Sequence, residues 1–270
     1  MNRVKKKSIG DKLGVIYAVL LFAFIYIPTV IMVVYSFNQQ PSNKWWTGFT
    51  TEWYGKLFRD AQLWQSFGLS LKISLLSTLI VVIIGTLGAM GLTRYRFFGR
   101  NALTYSVYLP MIVPGVVFAV PLMALLVLMG LKKGFWAVVL GNVILMLPYM
   151  ILTVRTRFLG LDRSVEEASM DLGASGVETF FRITLPLLTP TIFFNLVMQL
   201  INGFMVFAQG QIITDGKPMN STLFYVLYMY QQSFEYSKVG YAAAMGWILL
   251  VLVALFTGLL FKTKKYWVYE

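Results

Sequence analysis

The sequence predicts an all-α, polytopic membrane protein, with six transmembrane helices and a polar cytoplasmic loop, from three observations. The 270 residues are 58% hydrophobic and only 13% charged, with a mean hydropathy of +0.70, which is too apolar for a water-soluble domain of this size. Six apolar runs recur along the chain, each long enough to cross about 30 Å of hydrocarbon. None of the six contains Asp, Glu, Lys or Arg.

The first run, residues 13–37, follows Arg3, Lys5, Lys6, Lys7 and Lys12. It is longer than a signal-peptide core and shows no small-residue cleavage site, so we expect a retained span, bent near Pro28. The others cover residues 73–92, 102–130, 135–154, 187–208 and 240–261. With the amino terminus inside, the inner segments also hold Arg94, Arg96, Arg100, Arg155, Arg157, Arg163, Arg182, Lys262, Lys264 and Lys265, making fifteen of the 23 basic residues. This asymmetry predicts six spans with both termini cytoplasmic; Lys132 and Lys133 run against it. No repeat, linker or low-complexity segment appears, so residues 1–270 are expected to form a single domain.

The chain has neither Cys nor His, which excludes disulfides, thiol nucleophiles, zinc sites and imidazole bases. We expect no catalytic residue, no metal site and no cofactor. The net charge of +12 is an orientation signal rather than a nucleic-acid footprint. Spans without ionisable groups argue against a proton-coupled carrier. Gly210 to Gly216-Lys217 echoes a phosphate loop but is one residue too long, with Pro218 where a hydroxyl is needed. Any driving energy must therefore come from a separate protein.

Between the fourth and fifth runs lies a polar stretch, residues 164–190. Ser164 and Glu167 stand in capping-box spacing, predicting a helix from Val165 that Gly173 ends. Val165, Ala168, Ser169 and Leu172 form a small face suited to docking, while Glu166 and Asp171 form an acidic one. Ser175 and Glu178 repeat the box, and Pro186 is expected to end the second helix. By capping alone, a plain surface loop is the favoured reading of the pair.

In the fifth run Asn195, Gln199 and Asn202 fall at i, i+4 and i+7, and Gln209 continues that face if the helix does. Amides facing lipid would be costly. The stripe therefore faces either a solute path or neighbouring helices, and both uses stay open.

Three features read more as packing than as sites. Trp45, Trp46, Phe49, Trp53, Tyr54, Leu57 and Phe58 form an outer aromatic segment, either an interfacial belt or a docking surface for a soluble partner. Pro110, Pro114, Pro121 and Pro148 interrupt spans three and four. The small start Gly240-Tyr241-Ala242-Ala243-Ala244 would let helices approach closely.

Glu167-Ala168-Ser169, Gly173, Ile183, Leu185 and Pro186 resemble the signature of ABC importer permeases, in which Glu-Ala-Ala is followed by Gly and then Ile-x-Leu-Pro. Ser169 replaces the second alanine. Residues 36–190 look like spermidine and putrescine permeases, through Ser36-Phe37-Asn38, Trp53-Tyr54, Arg94-Tyr95-Arg96-Phe97 and Asp171-Leu172-Gly173-Ala174-Ser175. Residues 193–270 look more like carbohydrate permeases, through Gly216-Lys217-Pro218, Asn220-Ser221-Thr222 and Gly240-Tyr241-Ala242-Ala243-Ala244.

The resemblance implies a non-catalytic, multi-pass subunit of a bacterial plasma membrane importer. It implies a cytoplasmic ABC ATPase dimer that drives transport through Glu167, Ala168, Ser169, Gly173, Ile183, Leu185 and Pro186. It also implies a second permease subunit, as a heterodimer rather than a homodimer, and an extracytoplasmic binding protein delivering a sugar, polyol or polyamine. Carboxylates or aromatic cages suited to polyamines are missing from the amide stripe, which leans toward a neutral solute. The competing class is a stand-alone channel or facilitator.

Overall fold

The computed structural model describes residues 9–42, 45–131, 134–214, 216, 220 and 222–269. Expectations resting on residues 1–8, on Lys132 and Lys133, and on Asp215, Lys217, Pro218 and Ser221 lie outside these. Among the described residues all regular structure is helical, apart from one isolated bridge between Asn38 and Phe49. The chain divides into two compact units, one of Met1–Asp60 with Met229–Leu250 and one of Ala61–Tyr228 with Val251–Glu270.

The first unit contains α1 (Ile9–Tyr35), which runs through Pro28 without a break in the helix, α2 (Glu52–Arg59) and a later helical start at Val239. The outer aromatic segment is folded onto itself. Trp53 Nε1 donates to the Asn38 carbonyl at 2.7 Å, the Asn38 side chain accepts from the Thr47 N–H at 2.9 Å, and Phe37 stacks on Phe49 at 5.3 Å. Trp53 and Leu57 are buried, whereas Trp45, Trp46, Phe49 and Phe58 stay exposed. Gly240 lies so close to Trp53 and Tyr35 that a Cβ would sit 3.1 Å from the indole nitrogen and 3.2 Å from the Tyr35 carbonyl. Ala242, Ala243 and Ala244 are buried beside it, so the small-residue start packs as expected.

The second unit is built on α3 (Ala61–Arg94), 34 residues long. Its buried face carries Ser66, Ser70, Ser74 and Ser77, small side chains that permit close helix contact without a buried charge. Four more helices follow: α4 (Arg100–Ile112), α5 (Gly115–Leu128), α6 (Phe135–Leu159) and the short α7 (Arg163–Asp171). Beyond them come α8 (Gly176–Thr179), α9 (Leu185–Phe204), α10 (Tyr225–Tyr230) and α11 (Val239–Trp267).

Contacts give the helix directions. Ser77 bonds to the Val139 carbonyl, Gly85 abuts Met150 and Arg94 lies over Phe158, so α3 and α6 run parallel. Ser74 Oγ donates to the Leu200 carbonyl at 2.8 Å, and Arg157 reaches the Leu187 carbonyl, so α9 runs against both.

Residues 102–130, expected as one span, form two helices. Val113 and Pro114 are extended, because proline excludes the helical conformation from the residue before it and lacks an N–H for the ladder. Tyr108 on α4 meets Arg155 near the end of α6, while Leu122 and Leu126 on α5 pack on Ala137 near its start. The broken pair thus returns along α6 in the opposite direction.

Pro186 does not end its helix. A single π turn, Phe180–Thr184, joins α8 to α9, with the Leu185 N–H bonded to the Phe180 carbonyl. Widening the turn makes room where the proline ring would meet the preceding carbonyl, so helix continues from Gly176 to Phe204. Among the described residues, five helices are long and apolar enough to cross a membrane: Lys12–Tyr35, Ala61–Arg94, Phe135–Leu159, Gly176–Phe204 and Val239–Trp267.

Candidate functional site

The polar loop is fastened at its turns by capping rather than by burial. The cap of α7 is Asp162, whose carboxylate accepts the Ser164 N–H at 2.9 Å. That bond, with the Ser164 hydroxyl, holds the Asp162 carboxyl below its usual range. The helix therefore starts at Arg163, two residues before the expected Val165, and the box predicted at Ser164 and Glu167 is replaced. Glu167 instead pairs with Arg163 at 3.0 Å on the surface.

The helix ends as predicted. Gly173 has φ +91°, its N–H bonds to the Met170 carbonyl at 2.9 Å, and the Ala174 N–H reaches the Ser169 carbonyl at 3.2 Å. These are the two bonds of a Schellman turn, which needs a left-handed residue. Nothing lies within 4 Å of where a Cβ would stand, so conformation, not space, demands glycine. The second box forms as read: Ser175 Oγ accepts the Glu178 N–H at 3.2 Å, and Glu178 accepts the Ser175 N–H at 3.0 Å.

Two faces emerge. Outward stand Glu167, Ala168, Gly173 and Val177, with Leu172 at 90% exposure. Inward, Ser169 and Thr179 share a hydrogen bond of 3.2 Å, so the residue departing from the family alanine ties α7 to α8. Ile183, Leu185 and Pro186 are half-buried in the π turn and the start of α9.

Sequence reasoning missed Glu166. Its carboxylate pairs with Arg94 at 3.0 Å and accepts the Thr184 hydroxyl at 2.9 Å. Adjacent residues on a helix point about 100° apart, yet only the fold brings Arg94 to one of the two glutamates.

The amide stripe divides. Asn195 is buried, donates to the Thr191 carbonyl of its own helix at 2.9 Å, and does not line the pocket to which Gln199 and Asn202 belong. Gln199 Nε2 donates to the Met146 carbonyl at 3.1 Å, while its Oε1 is buried without a partner. Gln199 and Asn202 line a pocket of about 220 Å³ with Asn142, Met146, Tyr149 and Gln209.

Helix α9 stops at Phe204, so the turn after it, not helical register, brings Gln209 to the wall. Asn142, on α6, was not singled out in the sequence. Its Nδ2 is buried without a partner. Asn142 and Gln199, each with one buried amide atom lacking a partner, both belong to a pocket whose walls carry amides and a phenol but no charge. That chemistry suits hydroxyl-bearing solutes.

Residues 81–262 match the model of the binding-protein-dependent transport system inner membrane component. The chain belongs to this family. Over 172 residues the permease is 38% identical to the spermidine/putrescine transport system permease protein PotC of Haemophilus influenzae, covering 64% of this chain and 67% of that protein. Over 107 residues it is 54% identical to the probable ABC transporter permease protein YesP of Bacillus subtilis, covering 39% of this chain and 34% of that protein. Its fold resembles the crystal structure of a bacterial ABC transporter involved in the import of the acidic polysaccharide alginate, with TM-score 0.73, 20% identity and coverage of 93% of this chain and 95% of that one. The permease is therefore a multi-pass, non-catalytic membrane subunit of an ABC importer, powered by a separate ATPase.

Proposed function

We propose that this permease carries a small organic solute inward through a six-span domain with both termini cytoplasmic. The sixth crossing is the broken pair α4 and α5, which returns along α6 and so lets α3 and α6 run in one direction. The ends of α3, α6 and α11, the start of α9 and the loop from Arg163 to Pro186 then share the cytoplasmic side. Tyr269 donating its N–H to Thr189 at 2.8 Å supports that grouping.

The loop carries the proposal. A helix pair with a bare apolar tip at Leu172 and Val177, flanked by Glu167, is a surface for a cytoplasmic ATPase dimer. The remaining partners are a second, different permease subunit and an extracytoplasmic binding protein. Glu167, Ala168 and Gly173 make or shape the ATPase contact, while Ser169, Ile183, Leu185 and Pro186 hold the loop to the spans.

For the solute, the uncharged pocket at Asn142, Gln199, Asn202 and Gln209 supports a neutral sugar or polyol. A second possibility, a polyamine, is favoured by the 38% identity to PotC. The test is a mild-detergent pull-down from the native host with Gly173→Arg as control. We expect an ATPase and a binding protein with the wild-type chain only, the binding protein then being titrated with sugars and polyamines. Recovery of a well-folded permease without any ATPase would favour a stand-alone channel or facilitator.

A further inference from the structure

Helix α7 buries none of its residues, so packing does not hold it to the spans. Its side-chain ties are the Ser169–Thr179 bond and the two contacts of Glu166. The Arg94 and Glu166 side chains are only 14% and 15% exposed, against 63% and 55% for the neighbouring pair Arg163 and Glu167. The mostly covered pair is less screened by salt, whereas the exposed one contributes little.

Arg94 closes the last turn of α3, where carbonyl dipoles favour a cation. Its guanidinium also lies 5.3 Å from the centre of the Phe158 ring on α6. The other oxygen of Glu166 takes the Thr184 hydroxyl in the π turn that opens into α9. One carboxylate therefore joins α7 to α3 and to the start of α9, while its partner Arg94 rests on α6. Helices α6 and α9 supply the polar pocket.

We propose that the Arg94–Glu166 pair is the link by which movement of α7 reaches the pocket-lining helices, with Arg94, Glu166 and Thr184 as positioning residues that touch neither ATPase nor solute. This rests on the reading of the loop as the ATPase contact. Separating a pair that is mostly covered leaves each charge poorly solvated and without its partner, so the pair stays closed while the loop moves and carries α3 with it. Glu167, one residue on, faces the ATPase and has the different role of contact.

The chain has no cysteine, so Asn202→Cys places one labelling site of its own in the pocket. The test uses the complex purified through a tag on this chain, and compares maleimide labelling of Asn202→Cys with and without a non-hydrolysable ATP analogue. With Arg94 and Glu166 intact, the analogue should change the rate by about fivefold or more. Adding Glu166→Gln or Arg94→Gln should abolish that change while the ATPase still copurifies, and Thr184→Val should reduce it. Exchanging the two charges, Arg94→Glu with Glu166→Arg, should recover part of it.

An undiminished nucleotide response in both single variants, with the ATPase bound, overturns the link alone. So does an equal loss of ATPase and of response, which marks a merely structural role. Absence of an ATPase from the complex with Arg94 and Glu166 intact overturns the loop contact, and the link with it.

Discussion

Ser169 and Thr179, ten residues apart, share a hydrogen bond of 3.2 Å that closes the angle between α7 and α8. Thr179 is buried and Ser169 half-buried, so water competes poorly for the bond. Ser169→Ala restores the family residue and deletes it. We expect a loss of about 1 kcal/mol in the local stability of the loop, read as faster amide exchange across α7, with ATPase association kept.

At Gly173 the backbone, not the side chain, is the constraint. Gly173→Ala should cost about 1 kcal/mol because a Cβ disfavours left-handed φ. Gly173→Asn should be milder, since asparagine visits that region more readily. Uptake and ATPase recovery should both rank Gly, then Asn, then Ala. Equal function of alanine and glycine would remove the conformational explanation.

Much of this loop was legible in the sequence, and the illegible parts have physical reasons. The Ser175–Glu178 box and the Gly173 stop depend on neighbours within a few residues. Glu166 depends on Arg94, 72 positions earlier, so spacing alone could not separate it from Glu167. The start at Arg163 was missed because Asp162 competes with Ser164 for the same cap. Pro186 looked terminal because one π turn, which pattern does not reveal, absorbs it. Asn142 went unnoticed because a lone amide in an apolar run gives no periodic signal, and Pro114 broke a run whose composition read as one span.

Two glycines set the helix spacing. At Gly203 a Cβ would lie 2.7 Å from the Ser74 Cα, and at Gly85 it would lie 2.9 Å from the Met150 Cβ. Neither atom moves when a side chain changes rotamer, so the backbone must shift at both. Gly203→Ala and Gly85→Ala should each destabilise by about 1–3 kcal/mol, as measured by thermal unfolding in detergent.

The amides divide into two functional groups. Asn142→Leu and Asn202→Leu should raise the KM for uptake of the solute selected by the copurified binding protein by up to about tenfold, the worth of one hydrogen bond. Asn195→Ala should leave KM unchanged, because its side chain bonds within α9. Unaltered kinetics in all three would make the pocket a packing feature.

The contact between the loop and an ATPase is tested most directly at Leu172, which is 90% exposed in a chain without cysteine. Leu172→Cys would be treated with a short heterobifunctional cross-linker in membranes of the native host. The expected result is one cross-linked product with a nucleotide-binding protein, its yield changing on addition of ATP. An assembled complex that contains the ATPase yet gives no product at Leu172, while Trp45→Cys does, would contradict it.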